Sequence, residues 1–277
     1  MSSPQATARG VLVVLPTLGD RLDTLAETLE SVAGQRRDVP VTLVVVVPPE
    51  AGPARRLAES YAARLVDDPR RGISHAINLG VETATDESYY AWIGDDDLFR
   101  PGALATLRRL IESTPGAVVA FGGCDYVDGA GRVLASNRAG RWARWLLPWG
   151  PDLIPHPGSL IRLDAMRSAG LFDPGLRYAM DLDMFLRLRA LGPFASTRTS
   201  VSAFRWHADS LTVANRAASG AEADRVKTAH LPRGLRPLSP LWHVPVRWAS
   251  ARAARAMSRR ASGLPAGSRR RGLPGRG

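Results

Sequence analysis

Apolar residues fall in short unbroken runs separated by stretches of helical period. Residues 10–15 (GVLVVL) form a β-branched run with no polar face, as in a strand buried on both sides, and Pro16-Thr17 ends it. Leu22, Leu25, Leu29 and Val32 then recur at helical spacing, with the stop expected at Gly34. Residues 41–47 predict a second buried strand, 53–64 a second helix, 65–66 a short strand and 73–84 a third helix. Residues 89–93 follow as the central strand. All-apolar strands alternating with helices predict an α/β fold built on a doubly wound, mostly parallel sheet. Ligands of such sheets bind beyond the carboxyl ends of the strands.

Downstream, 101–113 predict a helix with Leu104, Leu107, Leu110 and Ile111 inward, then a strand over 117–123 and a hairpin over 126–134 turning at Asp128-Gly129-Ala130-Gly131. The segment 141–157 (RWARWLLPWGPDLIPHP) has three tryptophans, four prolines and no clear period, and is expected to be a long loop over the site. Helices over 163–169 and 182–190, the second introduced by Asp181, and a strand over 194–204 complete the pattern. Pro232, Pro237, Pro240 and Pro245 interrupt the pattern beyond residue 225, although 243–261 could form one helix with Arg252, Arg255 and Arg259 along one side. The expected organisation is a loose leader over 1–9, a domain over 10–224 with halves 10–123 and 124–224, and a basic, partly helical C-terminal extension over 225–277. Its last sixteen residues are rich in Gly, Pro, Ser and Arg and are expected to be disordered.

The net charge of +11 belongs to that extension. From Arg225 onward there are thirteen Lys and Arg and no acid, which leaves 24 basic against 26 acidic residues in 1–224. The body is therefore near neutral, and the extension suits an anionic membrane face or nucleic acid, or a solubilising end. One cysteine, Cys124, excludes an intramolecular disulfide and a thiolate zinc cluster, and reads as a small buried hydrophobe. No run approaches the length of a membrane span, and no cleavage site follows the first apolar run.

The chemistry concentrates where the central strand ends, at Asp95-Asp96-Asp97. Adjacent carboxylates at the tip of a buried strand repel one another and are partly desolvated. A divalent cation resolves that conflict, and Mg²⁺ or Mn²⁺ commonly takes one or two carboxylates together with substrate phosphates. The tripeptide alone fits equally well a solvated turn ahead of the next helix.

Several pieces occur in one order: Leu15-Pro16-Thr17; Gly72-Ile73-Ser74-His75-Ala76-Ile77-Asn78-Leu79-Gly80; the strand into Asp95-Asp96-Asp97; Gly170-Leu171-Phe172-Asp173; and Asp181-Leu182-Asp183 before Phe185-Leu186-Arg187-Leu188. This set resembles glycosyltransferase family 2 on the GT-A fold, from about residue 11 to 211. The resemblance implies a Rossmann-like sheet carrying a nucleoside-diphosphate sugar, with Mn²⁺ or Mg²⁺ on the diphosphate. Asp95, Asp97 and His207 would be the metal ligands, and Pro16, Thr17, Asp68, Arg71, Gly72, Asn78 and Asp96 would line the donor. Asp181 matches the position of the catalytic base in similar inverting enzymes, and also suits a helix N-cap. His156, Trp149 and Asp183 would face the acceptor. One departure stands out: where the family places an Asp-rich turn after the second strand, this chain has Pro48-Pro49-Glu50-Ala51-Gly52-Pro53. Glu50, Asp67 or Asp68 would then contact the nucleotide.

The expected activity is metal-dependent, inverting sugar transfer to a glycan or lipid-linked saccharide of the cell envelope. The expected location is cytoplasmic, at the inner face of the plasma membrane, where the arginines and tryptophans would meet anionic lipid. Nucleotidyl or phosphoryl transfer would need a Gly-rich phosphate loop, and Leu15-Pro16-Thr17-Leu18-Gly19-Asp20-Arg21 offers one glycine. A non-catalytic nucleotide-sugar or nucleic-acid binding protein is the third reading. Retention of Asp181 argues against a degenerate enzyme, and the lack of aromatics interleaved with basic residues on the sheet argues against RNA.

Overall fold

The computed structural model describes residues 10–138, 140–206 and 215–261. The expected leader, His207 and the last sixteen residues lie outside them.

Five strands and four helices build the first half: β1 Gly10–Pro16, α1 Leu22–Gln35, β2 Val41–Val47, α2 Gly52–Ser60, β3 Arg64–Asp67, α3 Ile73–Glu82, β4 Glu87–Trp92, β5 Leu98–Phe99 and α4 Ala103–Ser113. The second half holds β6 Val119–Val127, β7 Val133–Asn137, α5 Trp142–Leu146, β8 Ser159–Arg162, α6 Leu163–Ala169, α7 Met180–Leu188 and β9 Phe194–Arg205, then α8 Arg216–His230 and α9 Pro240–Ala261. One sheet runs β3-β2-β1-β4-β8-β6-β9-β5, with β7 on β6. The pairs β3-β2, β2-β1, β1-β4 and β6-β9 are parallel, whereas β8, β7 and β5 pair antiparallel. The doubly wound, mostly parallel α/β sheet expected from the sequence is therefore present.

Alternation within the all-apolar strands explains the layering. Leu12, Val14, Val44, Val46 and Tyr90 point to one face and pack with α3, α6 and α7. Val11, Val13, Leu15, Val45, Tyr89 and Ala91 point to the other, against α1, α2 and α4. Each face is sealed, so the strand ends are the exits toward solvent. Helix α3 comes unusually near: a Cβ on Gly80 would sit 2.5 Å from Val14 Cγ1, so only glycine allows this approach.

Several expectations are corrected. Helix α1 continues through Gly34 to Gln35, because Gln35 is buried and its amide bridges Arg100 O and Leu104 N. Helix α2 stops at Ser60, and Tyr61-Ala62 turn the chain with Ala62 at φ 53° into β3. The segment 141–157 is not a bare loop: α5 forms within it, and Ala143, Leu147 and Ile154 are buried in the core. Strand β8 follows at once, a four-residue element too short to show a period. Helix α8 lacks an apolar stripe in the sequence, and the limit expected at residue 224 falls inside it; Val226 and Lys227 beyond that limit are buried.

Candidate active site

Strands β1 and β4 end side by side at the carboxyl edge, and the end of β9, separated from β4 in the sheet by β8 and β6, reaches the same acid cluster through Arg205. Thr17, buried just past β1, donates from Oγ1 to Asp95 Oδ2 at 2.6 Å, and its own N–H is fixed to Val46 O. Arg21 Nη1 lies 2.8 Å from Asp96 Oδ2 and 3.7 Å from Asp95 Oδ1. Asp97 is 1 % exposed. Its Oδ1 accepts the N–H of Arg205 at the end of β9 (3.1 Å), while the Arg205 guanidinium donates to Asp96 O and Gly129 O and pairs with Glu27. Thr28 in α1 donates to Asp97 O at 2.8 Å.

The electrostatics follow from this crowding. Burial pushes the Asp97 carboxyl well above its ordinary range, with the Asp96 and Asp95 charges adding to the effect against the Arg205 N–H. Asp95 is raised more mildly, by burial first, because Thr17 and Arg21 counter the neighbouring acids. Such a site is short of positive charge. Gly94 leaves room beside it, since a Cβ there would lie 3.2 Å from Asp96 Oδ1 and 3.3 Å from Asp97 Oδ2. Among the described residues no three His, Cys, Asp or Glu side chains are arranged as a metal cage. The donor set instead suits a hard divalent ion that takes one or two carboxylates and completes its shell with water and phosphate.

Asp181 sits in the first turn of α7, two residues past the capping position at Ala179 and so not the cap expected of it, and its Oδ1 accepts the Leu182 N–H at 2.8 Å. Burial raises its pKa to about 6, and the Glu222 carboxylate adds to this. Burial, and after it the Asp181 charge, raise Tyr90 on β4, the strand that delivers the acid cluster. Asp152, half-buried before β8, is raised to about 7 by burial and then by Asp181, against Lys227.

Other expected site residues divide sharply. Pro16 and Gly72 lie at strand and helix ends on the carboxyl edge, and Arg71 is exposed beside Gly72. Asp68 is buried past β3, holding the Arg70 N–H at 2.8 Å, and Arg70 also pairs with Glu50. Asp67 instead pairs with Arg55.

Asn78 is corrected as a donor contact: its amide donates to Phe172 O (2.8 Å) and accepts from Phe172 N (3.1 Å), so it braces the 170–173 turn. His156 is corrected as an acceptor contact: it is 4 % exposed, stacked 4.5 Å from Trp92 and packed against Tyr90, Phe172 and Phe185, and burial lowers its pKa to about 3. It is a neutral core ring. Asp183 is likewise occupied, by Arg187 and His230; burial alone would raise it, but those partners hold it below the ordinary carboxylate range. Trp149 is partly exposed and meets Trp242 edge-on at 5.3 Å. Cys124 is buried and pushed up to about 12 by that burial, as an inert thiol is.

Sequence reasoning missed Arg21, Arg205, Asp152 and Glu222. Arginine is common throughout this chain, so neither arginine stands out. Lys227, the only lysine, carried a signal by its rarity.

A curled, mostly parallel sheet, covered by helices on both faces and ending its central strand in carboxylates, defines a GT-A-type α/β protein. Residues 12–157, more than half of the chain, match the family described as glycosyl transferase family 2. The chain belongs to that family. A relative from Sinorhizobium fredii (strain NBRC 101917 / NGR234), named uncharacterized protein y4gI, is 29% identical over 189 residues, which is 64% of this chain and 20% of the relative. The chain thus spans about one fifth of that relative's length. Among solved structures, S. aureus TarS 1-349 is similar with a TM-score of 0.58 at 14% identity, covering 92% of this chain and 83% of its own. The mannosyltransferase PcManGT from Pyrobaculum calidifontis, in complex with GDP-Man and Mn²⁺, gives 0.59 at 20% identity over 94% and 81%. Glucosyl-3-phosphoglycerate synthase from Mycobacterium tuberculosis, with Mn²⁺, UDP and glucosyl-3-phosphoglycerate, gives 0.54 at 16% identity over 94% and 82%.

Proposed function

We propose that the protein transfers a sugar, with inversion, from a nucleoside-diphosphate sugar to a hydroxyl of a glycan or lipid-linked saccharide. The observation that carries this reading is the delivery of Asp95, Asp96 and Asp97 to the carboxyl edge, where Thr17, Arg21 and Arg205 fix them. The Mn²⁺ and nucleotide ligands of the P. calidifontis and M. tuberculosis structures suit the same acid chemistry. A divalent metal, held here by Asp97 and Asp95, would supply charge stabilisation for the departing diphosphate. His207 would complete its protein contacts. Thr17 and Arg21 orient the carboxylates, and Asp68 with Arg70 and Glu50 offers polar groups beyond β3 for the nucleoside.

Asp181 is the general base. The acceptor oxygen attacks the anomeric carbon as the carbon–oxygen bond to the diphosphate breaks, and the diphosphate leaves with that electron pair. The hydroxyl proton passes to the Asp181 carboxylate. A carboxyl raised to about 6 is still mostly ionised at neutral pH yet more basic than an ordinary one. The test is release of nucleoside diphosphate from uridine, guanosine and thymidine diphosphate-sugars. Release is expected with Mn²⁺, should stop with a chelator and return when the metal is restored; release unaffected by chelation would contradict the metal assignment.

The site of action we propose is the cytoplasmic face of a membrane, in cell-envelope glycan synthesis. Among the described residues no helix is long and apolar enough to cross a membrane. Trp142, Trp145 and Trp248 are exposed, Arg141 and Arg144 lie near the α5 rings, and Arg252 lies over Trp248. Tryptophan beside arginine suits an anionic interface. Co-sedimentation with phosphatidylglycerol vesicles is expected to fall steeply as salt rises and to weaken in a Trp142→Ala, Trp145→Ala double variant. Equal sedimentation with neutral vesicles would remove the electrostatic part of this reading.

A further inference from the structure

Helix α8 reaches both segments that carry raised carboxyls. Glu222 Oε1 accepts three consecutive N–H groups, those of Arg177 (3.0 Å), Tyr178 (2.6 Å) and Ala179 (2.8 Å), directly ahead of Met180 and Asp181. Lys227 donates from Nζ to Gly150 O at 2.6 Å, two residues before Asp152. His230 Nε2 lies 2.9 Å from Asp183 Oδ1, on the same helix as Asp181. These side chains share one broad side of α8 with the buried Val226.

Burying a carboxylate and an ammonium on one helix is costly unless each is well partnered. Glu222 is 6 % and Lys227 5 % exposed. Docking a helix needs only apolar contact. Here the buried charges engage backbone groups that set where Asp181 and Asp152 stand, and α8 lies beyond the stretch that matches the family.

We infer that α8 is a positioning clamp, in which Glu222 holds the turn ahead of Asp181 and Lys227 the loop ahead of Asp152, so that Glu222 both places the base and stands as its anionic neighbour. The inference rests on Asp181 being the base. The titratable groups around Asp181 are Glu222 from α8, Tyr90 from β4, and Asp152, which itself faces Lys227. Losing one negative neighbour makes it easier for Asp181 to ionise.

The experiment reads the pH dependence of Mn²⁺-dependent hydrolysis of the diphosphate-sugar turned over fastest, with water in place of the acceptor. In the same full-length proteins, ¹³C-carboxyl shifts follow the aspartate titration without substrate. Glu222→Gln is expected to move the acid limb, and the Asp181 titration, to lower pH by on the order of half a unit, the size of a partly screened charge interaction. The donor KM should change less than about twofold, since only chemistry is touched. Lower kcat with both limb and titration unmoved in this variant would make α8 a packing brace and overturn the inference. Asp181→Asn separates the two claims: wild-type hydrolysis in that variant removes the base and the clamp together. Loss of hydrolysis there, with an unmoved titration in Glu222→Gln, removes the clamp alone.

Discussion

Asp181→Asn is expected to lower sugar transfer by about 10²- to 10⁴-fold while leaving donor affinity within about twofold, because general-base catalysis contributes on that scale and the donor is held elsewhere. Asparagine keeps the size of the side chain and an oxygen for the Leu182 N–H, so α7 stays in place. What disappears is the group that takes the proton. Transfer by the wild type should rise with pH through the range of about 6 to about 7 in which the Asp181 and Asp152 carboxyls ionise.

The same groups bear on stability. In the folded chain both carboxyls keep their protons to higher pH than in the unfolded chain, where they ionise near about 4. The folded state therefore binds more protons across that window, and their contribution to stability is full below it and is lost as pH rises to about 7. Denaturation of wild type and Asp181→Asn at both ends of the window should show a shallower fall in the variant. An equal fall would mean that Asp181 titrates in its ordinary range.

Asp97→Asn is expected to abolish Mn²⁺-dependent donor binding and at least about 10²-fold of transfer, the scale of losing one charge-stabilising group. It should also stabilise the metal-free protein at neutral pH. Asp97 is buried among acids, and the hydrogen bond its carboxyl accepts from the Arg205 N–H can be made equally to an amide oxygen. Removing a buried charge whose neighbours repel it thus relieves a cost. With metal the order reverses: a ligand at about 100 times its Kd adds about 2.7 kcal/mol to the wild type and nothing to a variant that does not bind it. Thermal melts with and without Mn²⁺ and nucleoside diphosphate read both halves. A variant that melts lower without metal and gains as much as the wild type with it would place the metal elsewhere.

These expectations differ in how far they could be read from the residues alone. Strands β1, β2 and β4 were legible because burial on both faces demands unbroken apolar runs, and those runs placed Asp95-Asp96-Asp97 at the carboxyl edge. Asp181 was singled out as the candidate base by an ordered set of short motifs. What stayed hidden depends on contacts between distant segments. His156 and Asn78 resemble ligands in sequence, yet one is enclosed by aromatic rings and the other spends its amide on Phe172. Arg205 and Glu222 stand 108 and 43 residues from the groups they hold, Asp97 and Ala179, and no local pattern marks such a pairing. Helix α8 was missed for a related reason: its buried face uses Glu222 and Lys227 in place of an apolar stripe.

The division of labour between Asp95-Asp96-Asp97 and Asp181 is tested most directly by calorimetric titration of a nucleoside-diphosphate sugar, with and without Mn²⁺, into the Asp97→Asn and Asp181→Asn proteins, beside their rates of transfer. Metal-dependent binding should persist in Asp181→Asn and vanish in Asp97→Asn, with transfer lost in both. Metal-dependent binding lost equally from both variants, or kept equally by both, would contradict it.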